Sequence, residues 1–311
     1  MNFPFIKLSP EVKIRFLSEF FLKFGNFLFI PLITFTIGIN KYSEYIIISS
    51  IINGLIPILI LGFNFSIIKK LSTTSDLKIQ SLRVFNAFIL ITIFSLFLFL
   101  LLLLYLNLFF KNLIILNSFI FAIAYLSAIQ MIFFEFLRCN GKSNIYSFFQ
   151  IFDIFFLIFL VFFIQFFFQL SLDTILFNII FVKFFSILLI FLFLLKKKII
   201  SMKYFFFDQD LLKIYIIPGI IYIFLGLSEW LINYGDKLIL SKYLSAVYLS
   251  VYFTASMFSS VINSLGSVFW WDLFPKLSKL NYQNKEKEMF TLIKSKNNKF
   301  IEYSIYVSFL V

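Results

Sequence analysis

Charged and amide side chains stand inside long apolar runs of this sequence at helical spacing. Glu19, Lys23 and Asn26 follow i, i+4, i+7, as do Tyr146, Gln150 and Asp153, and Glu229, Asn233 and Asp236. Residues so spaced share one face of a helix. Lys183 stands alone in its run, and Ser256, Ser260, Asn263 and Ser267 form a small-polar stripe in another. An ionisable group deep in a membrane helix is costly and faces a partner or a cavity. Lys23, Asp153, Lys183 and Glu229 lie deepest, which favours a water-filled cavity. The chemistry open to such groups is electrostatic: holding an ion or a polar solute. Blander readings stand beside this one. Glu19 and Lys23 also fit a local ion pair, and Glu135 with Arg138 fits an interfacial pair. The serine stripe also fits tight helix packing, and Asp236 and Asp272 lie near helix ends, where solvation is ordinary.

Covalent chemistry has little to work with. The sequence has no His, so a His-ligated metal site or a Ser-His-Asp triad cannot form. Cys139 is the single cysteine, which excludes an intrachain disulfide and a cysteine metal cluster. No glycine-rich phosphate loop is present.

The elements that carry these groups are membrane helices. Of 311 residues, 61% are hydrophobic and 14% charged, and 51 are Phe. Soluble chains are about 45–50% apolar and about 25% charged. A bilayer core takes about 20 apolar residues of helix. That length predicts spans at Ile14–Gly38, Tyr45–Ile68, Val84–Phe109, Leu113–Leu137, Ile145–Phe168, Thr174–Leu195, Ile214–Gly235 and Ala246–Trp270, with a ninth from Phe300. The first run carries Glu19 and Lys23 and lacks a small-residue cleavage site, unlike a signal peptide. The phenylalanines read as base composition on lipid-facing surfaces rather than as a binding box.

Loop charge sets the orientation. With the N-terminus inside, 21 of the 27 Lys and Arg residues fall on the inner side. Only Lys41, Lys111, Lys237 and Lys242 fall outside, while Lys23 and Lys183 lie within spans. This asymmetry predicts a cytoplasmic N-terminus, and the net charge of +12 suits anionic headgroups rather than nucleic acid. A weak internal repeat of 207 residues aligns Tyr45 with Tyr252 and Lys69 with Lys276. It spans six helices, so it predicts two lobes of like orientation, an arrangement found in transporters.

The segment from Tyr215 to Leu280 resembles the polysaccharide flippases through Asp236-Lys237, Lys242, Tyr252, Pro275 and Lys276. Ser250 and Val251 stand where that family often has Gly before the Tyr. Pro31, Tyr42, Tyr45, the run Leu61-Gly62-Phe63-Asn64-Phe65 and Lys69-Lys70 resemble its first two helices. The stretch from Phe134 to Lys142 resembles the end of its fourth. The chain thus resembles a Wzx-type O-antigen or capsule flippase of the multidrug/oligosaccharidyl-lipid/polysaccharide exporter superfamily.

The resemblance implies an all-α polytopic membrane bundle with MATE-like two-lobe architecture. Residues 1–200 would form a six-helix lobe and residues 201–311 an incomplete second lobe, as in a C-terminally truncated or partial chain. The implied substrate is a polyprenyl-pyrophosphate-linked oligosaccharide, with the lipid bilayer and other polysaccharide-assembly proteins as partners, in the inner (plasma) membrane. Lys23 and Lys183, with Asn26 and Asn263, would bind the headgroup, and Asp153, Glu229 and Glu19 would couple to protons or sodium. Pro31, Pro57 and Pro218 would bend helices as the lobes rock. No cofactor and no enzyme activity is implied. The alternatives are a multidrug exporter of the same superfamily, a membrane glycosyltransferase or polymerase, and an inactive remnant.

Overall fold

The computed structural model describes residues 10–63, 68, 71, 76–109, 114–205, 209–270 and 273–308. It is helical, with no strand among the described residues. The long helices are α1 (Pro10–Leu59), α2 (Leu77–Phe109), α3 (Ile114–Cys139), α4 (Ser143–Gln165), α5 (Leu172–Lys196) and α6 (Gln209–Trp230). A π-helical turn, Leu231–Gly235, carries α6 into the short α7 (Asp236–Leu240). Then follow α8 (Ala246–Trp270), α9 (Leu273–Tyr282) and α10 (Glu286–Ser308). Five of these helices, α1 to α5, have described stretches long and apolar enough to cross a membrane.

Helix α1 is two spans in one. Gly38 breaks it with φ 81° and ψ 163°, backbone that is almost confined to glycine. One residue therefore turns the chain between a limb of residues 10–37 and a limb of residues 39–59. Pro31 and Pro57 sit inside the helix, yet the non-helical backbone is at Gly38. The second limb starts at 39 and α8 starts at Ala246, which is the 207-residue offset seen in the sequence.

Helix α3 lies at the centre of the first six spans, packed against α1, α2, α4 and α5. Its small residues Ala124, Ser127 and Ala128 are buried and let neighbouring backbones approach. Leu59, Phe63, Ala124, Phe136 and Leu194 belong to the apolar cluster around it. A second cluster joins Ile33, Tyr42 and Ile46 of α1 to Leu157 and Val161 of α4, with Phe253 and Met257 of α8 packed against it. The outer surface is strongly apolar, with Phe97, Phe148, Phe159 and Phe224 all exposed. That surface suits acyl chains, and the chain is a multi-pass membrane protein.

Helices α9 and α10 correct one expectation. The basic stretch after the eighth span was expected only as a polar connection, yet it is helical. Lys276, Lys279, Lys285, Lys287 and Lys294 are exposed along it, and Lys285 pairs with Glu288 at 2.9 Å. The ninth span, expected from Phe300, continues a helix that starts at Glu286.

Candidate functional site

A cavity of about 540 Å³ lies within the first six spans. Helix α1 lines it twice, through Asn26 on the first limb and Tyr45, Ser49 and Asn53 on the second. Helix α3 contributes Ser127, Gln130 and Glu135. Helix α4 contributes Tyr146, Gln150 and Asp153, the single face that their spacing predicted, and α5 contributes Lys183. Ile52, Ile56, Ile123, Ile154 and Leu157 form the apolar part of the wall.

On the wall of this cavity Gln130 joins two opposite charges. Its carbonyl accepts from Lys183 Nζ at 2.6 Å, and its amide donates to Asp153 Oδ2 at 2.5 Å and to Ser186 Oγ at 3.1 Å. Lys183 and Asp153 are themselves an ion pair at 3.5 Å. The amide is thus fixed in one orientation by three partners. Asp153 Oδ1 is buried without a hydrogen-bond partner.

A second network ties α4 to the first limb of α1. Arg15 donates one guanidinium nitrogen to Glu19 and the other to Gln150 Oε1, and Gln150 Nε2 donates to Tyr146 OH at 3.1 Å. The Arg15 guanidinium also stands 4.5 Å from the centre of the Tyr146 ring, a cation–π contact. Arg138 pairs with Glu135 at 3.1 Å, as their three-residue spacing suggested. Glu19 therefore takes Arg15, one turn earlier, and not Lys23. Both choices are four residues away, but Gln150 and Tyr146 of α4 hold the Arg15 side chain in place.

No protein-family model matches the chain, and no curated protein matches it. Solved structures do. The crystal structure of MATE in complex with Br-NRF superposes with a TM-score of 0.62 at 14% identity, covering 99% of this chain and 73% of that one. A mutant of the Vibrio cholerae MATE transporter VcmN superposes with a TM-score of 0.53 at 14% identity, covering 89% and 68%. The chain has the MATE transporter fold.

Within this MATE fold the candidate residues divide. Asn26, Asp153 and Lys183 line the cavity. Lys23 points elsewhere: its Nζ donates to Ser260 Oγ of α8 at 3.1 Å, beside the Phe27–Phe258 ring contact at 5.3 Å. That hydrogen bond joins the first limb of α1 to α8. Glu19 is engaged with Arg15 and is not among the residues that line the cavity. Glu229 lies on an exposed face of α6, and its backbone carbonyl accepts from Asn233 Nδ2 at 2.8 Å. The π-helical turn follows directly, so Glu229, Asn233 and Asp236 do not form the one regular face that their spacing predicted. Asp236 Oδ2 instead accepts from Tyr252 OH of α8 at 2.5 Å. Asn263 is on α8, and its side chain lies outside the described residues.

Gln130 and Arg15 were missed as site residues. Gln130 carries no charge, and its one spaced polar neighbour on α3 that also lines the cavity, Ser127, is uncharged too. Arg15 stood at the start of a span and counted as an inner-loop cation.

Proposed function

We propose that this chain is a lipid-linked oligosaccharide flippase that works by alternating access, moving a polyprenyl-pyrophosphate-linked glycan from the cytoplasmic to the outer leaflet. The observation that carries this reading is the polar cavity inside a bundle with a transporter fold, with the Lys183–Gln130–Asp153 network on its wall. A pyrophosphate headgroup needs a hydrated, cationic contact, and Lys183 supplies it as a point charge. Asp153 is the group that couples transport to an ion gradient. Tyr45, Ser49, Asn53 and Gln150 offer hydrogen bonds to sugar hydroxyls, while the lipid tail stays in the bilayer. The membrane is the plasma membrane, with the N-terminus in the cytoplasm. A reporter fused after Lys203 is expected to read cytoplasmic, and an external reading overturns that orientation.

The test is mass spectrometry of polyprenyl-linked glycans in cells lacking the gene, with and without its return on a plasmid. Completed lipid-linked repeat units are expected to accumulate and then clear. A pool that never accumulates removes the flippase reading. Resistance to organic cations that follows the gene instead would assign the chain to multidrug export.

A further inference from the structure

A second concavity, of about 340 Å³, lies at the basic end of α5 and shares no lining residue with the polar cavity. Its wall includes Phe85 of α2, Phe133 of α3, Phe184 and Leu188 of α5, and Met202 and Phe205 of the turn that leaves α5. Every residue that lines it is apolar. Phe184, Leu188 and Met202 are 57%, 40% and 60% exposed, so it opens on the outer surface of the bundle, where acyl chains lie. Phe205 stacks on Phe85 with ring centres 4.6 Å apart, and Ser201 N donates to Ser81 Oγ at 3.0 Å. These two contacts fold the turn back over α2 and complete the wall.

Water does not suit this pocket, because a buried water needs polar partners and the wall has none. An empty pocket would forfeit the dispersion contacts of its lining. An acyl chain restores them. Moving a tail from the bilayer into the pocket exchanges one hydrocarbon surrounding for another, so the transfer itself adds little. Preference for one lipid over another must therefore come from the headgroup.

The charges for such a preference stand beside the pocket. Lys196, Lys197 and Lys198 end α5, and Lys203 sits on the turn between the lining residues Met202 and Phe205. All four are exposed, and residues 174–207 contain no Asp or Glu. Lys196 stands five residues beyond the lining residue Phe191, about 7.5 Å of helix rise. That rise takes the chain from acyl depth toward headgroup depth, where lysines reach for anionic phosphate.

We infer that this pocket binds one acyl chain of an anionic glycerophospholipid, with the lipid phosphate held by Lys197, Lys198 and Lys203. The tail fills the space between α2, α5 and the turn, so the bound lipid fastens that turn to the bundle. The occupant is a lipid of the surrounding bilayer rather than transported cargo, because the pocket opens outward and no lining residue connects it to the polar cavity. The inference does not rest on the flippase reading.

Native mass spectrometry of the full chain tests it. The chain is released from mixed micelles that hold equal amounts of phosphatidylglycerol and phosphatidylcholine with the same acyl chains. One retained lipid is expected, with phosphatidylglycerol preferred about fivefold or more, which is the worth of about one lysine against an anionic headgroup. The triple variant Lys197→Gln, Lys198→Gln, Lys203→Gln is expected to lose the preference. Leu188→Trp keeps every lysine but fills the pocket, and is expected to lose the retained lipid. Met202→Trp on the exposed turn is a second filler should the first fail to fold. Equal retention of the two lipids by the wild-type chain would overturn the inference. So would undiminished phosphatidylglycerol on the folded filled variants, which would mean diffuse attraction to the lysines without a site. Displacement of phosphatidylglycerol by an equal amount of farnesyl phosphate would make the occupant a polyprenyl chain and overturn it as well.

Discussion

Replacing Arg15 with methionine is expected to destabilise the protein by about 3–5 kcal/mol, the usual cost of removing one partner of a buried ion pair. The Arg15 and Glu19 side chains are only 8% and 9% exposed. The guanidinium also serves Gln150 and stacks on Tyr146, so one side chain joins the first limb of α1 to α4. Methionine keeps most of the apolar volume but leaves the Glu19 carboxylate in a dry site with its strong donor gone. The double variant Arg15→Met with Glu19→Leu removes both charges, and replacing a whole buried pair by apolar groups is often neutral. It is expected to recover most of the loss. Denaturant titration in mixed micelles checks both. A single variant no less stable than the double would show that Glu19 is solvated.

The second large effect is expected at Gly62. Its φ is 65°, in the left-handed region, where a residue with a Cβ costs about 1–2 kcal/mol. Space is the larger obstacle. A Cβ at Gly62 would press on the Gly219 carbonyl and lie 2.7 Å from Tyr222 Cβ and 2.9 Å from Gly219 Cα. A Cβ at Gly219 would in turn press on the Leu61 carbonyl. Two backbones touch here, the end of the second limb of α1 and helix α6, and neither can yield as a side chain tip would. Gly141 separates the two causes. Its φ is 66°, yet nothing lies within 4 Å of an added Cβ. Gly141→Ala is expected to cost only the conformational part, while Gly62→Ala costs several-fold more or fails to yield folded protein. Melting of the two variants in the same detergent decides. Equal losses would mean that the backbones separate freely.

The spans of α1 to α5 were legible because bilayer thickness imposes one length scale on apolar runs. Tyr146, Gln150 and Asp153 were legible as one face because α4 is regular. What the sequence hides is pairing between helices. Asp153 and Lys183 each looked like a lone deep charge, and only the packing of α4 and α5 around α3 makes them a pair. Gln130 joins them without any charge to announce it. Lys23 likewise looked like a lone deep charge, and only the packing of α8 against the first limb of α1 gives its ammonium Ser260 as a partner. The basic stretch 273–299 reads as a polar connection by composition, although its residues are compatible with helix and lie in two.

The π-turn at Leu231–Gly235 acts as a rotary offset in the seventh span. A turn of i→i+5 bonds carries surplus chain relative to α-helix, and each residue of α-helix advances about 100° around the axis. Everything beyond Gly235 is therefore dialled round by roughly one residue's worth. That setting aims Asp236 at Tyr252 and buries Lys237 between the rings of Tyr234 and Phe253, at 4.7 and 5.6 Å. Were the turn to tighten to α-helix, this charged pair would swing as a unit away from α8. The stretch beyond Gly235 would then change its address without any helix having to tilt.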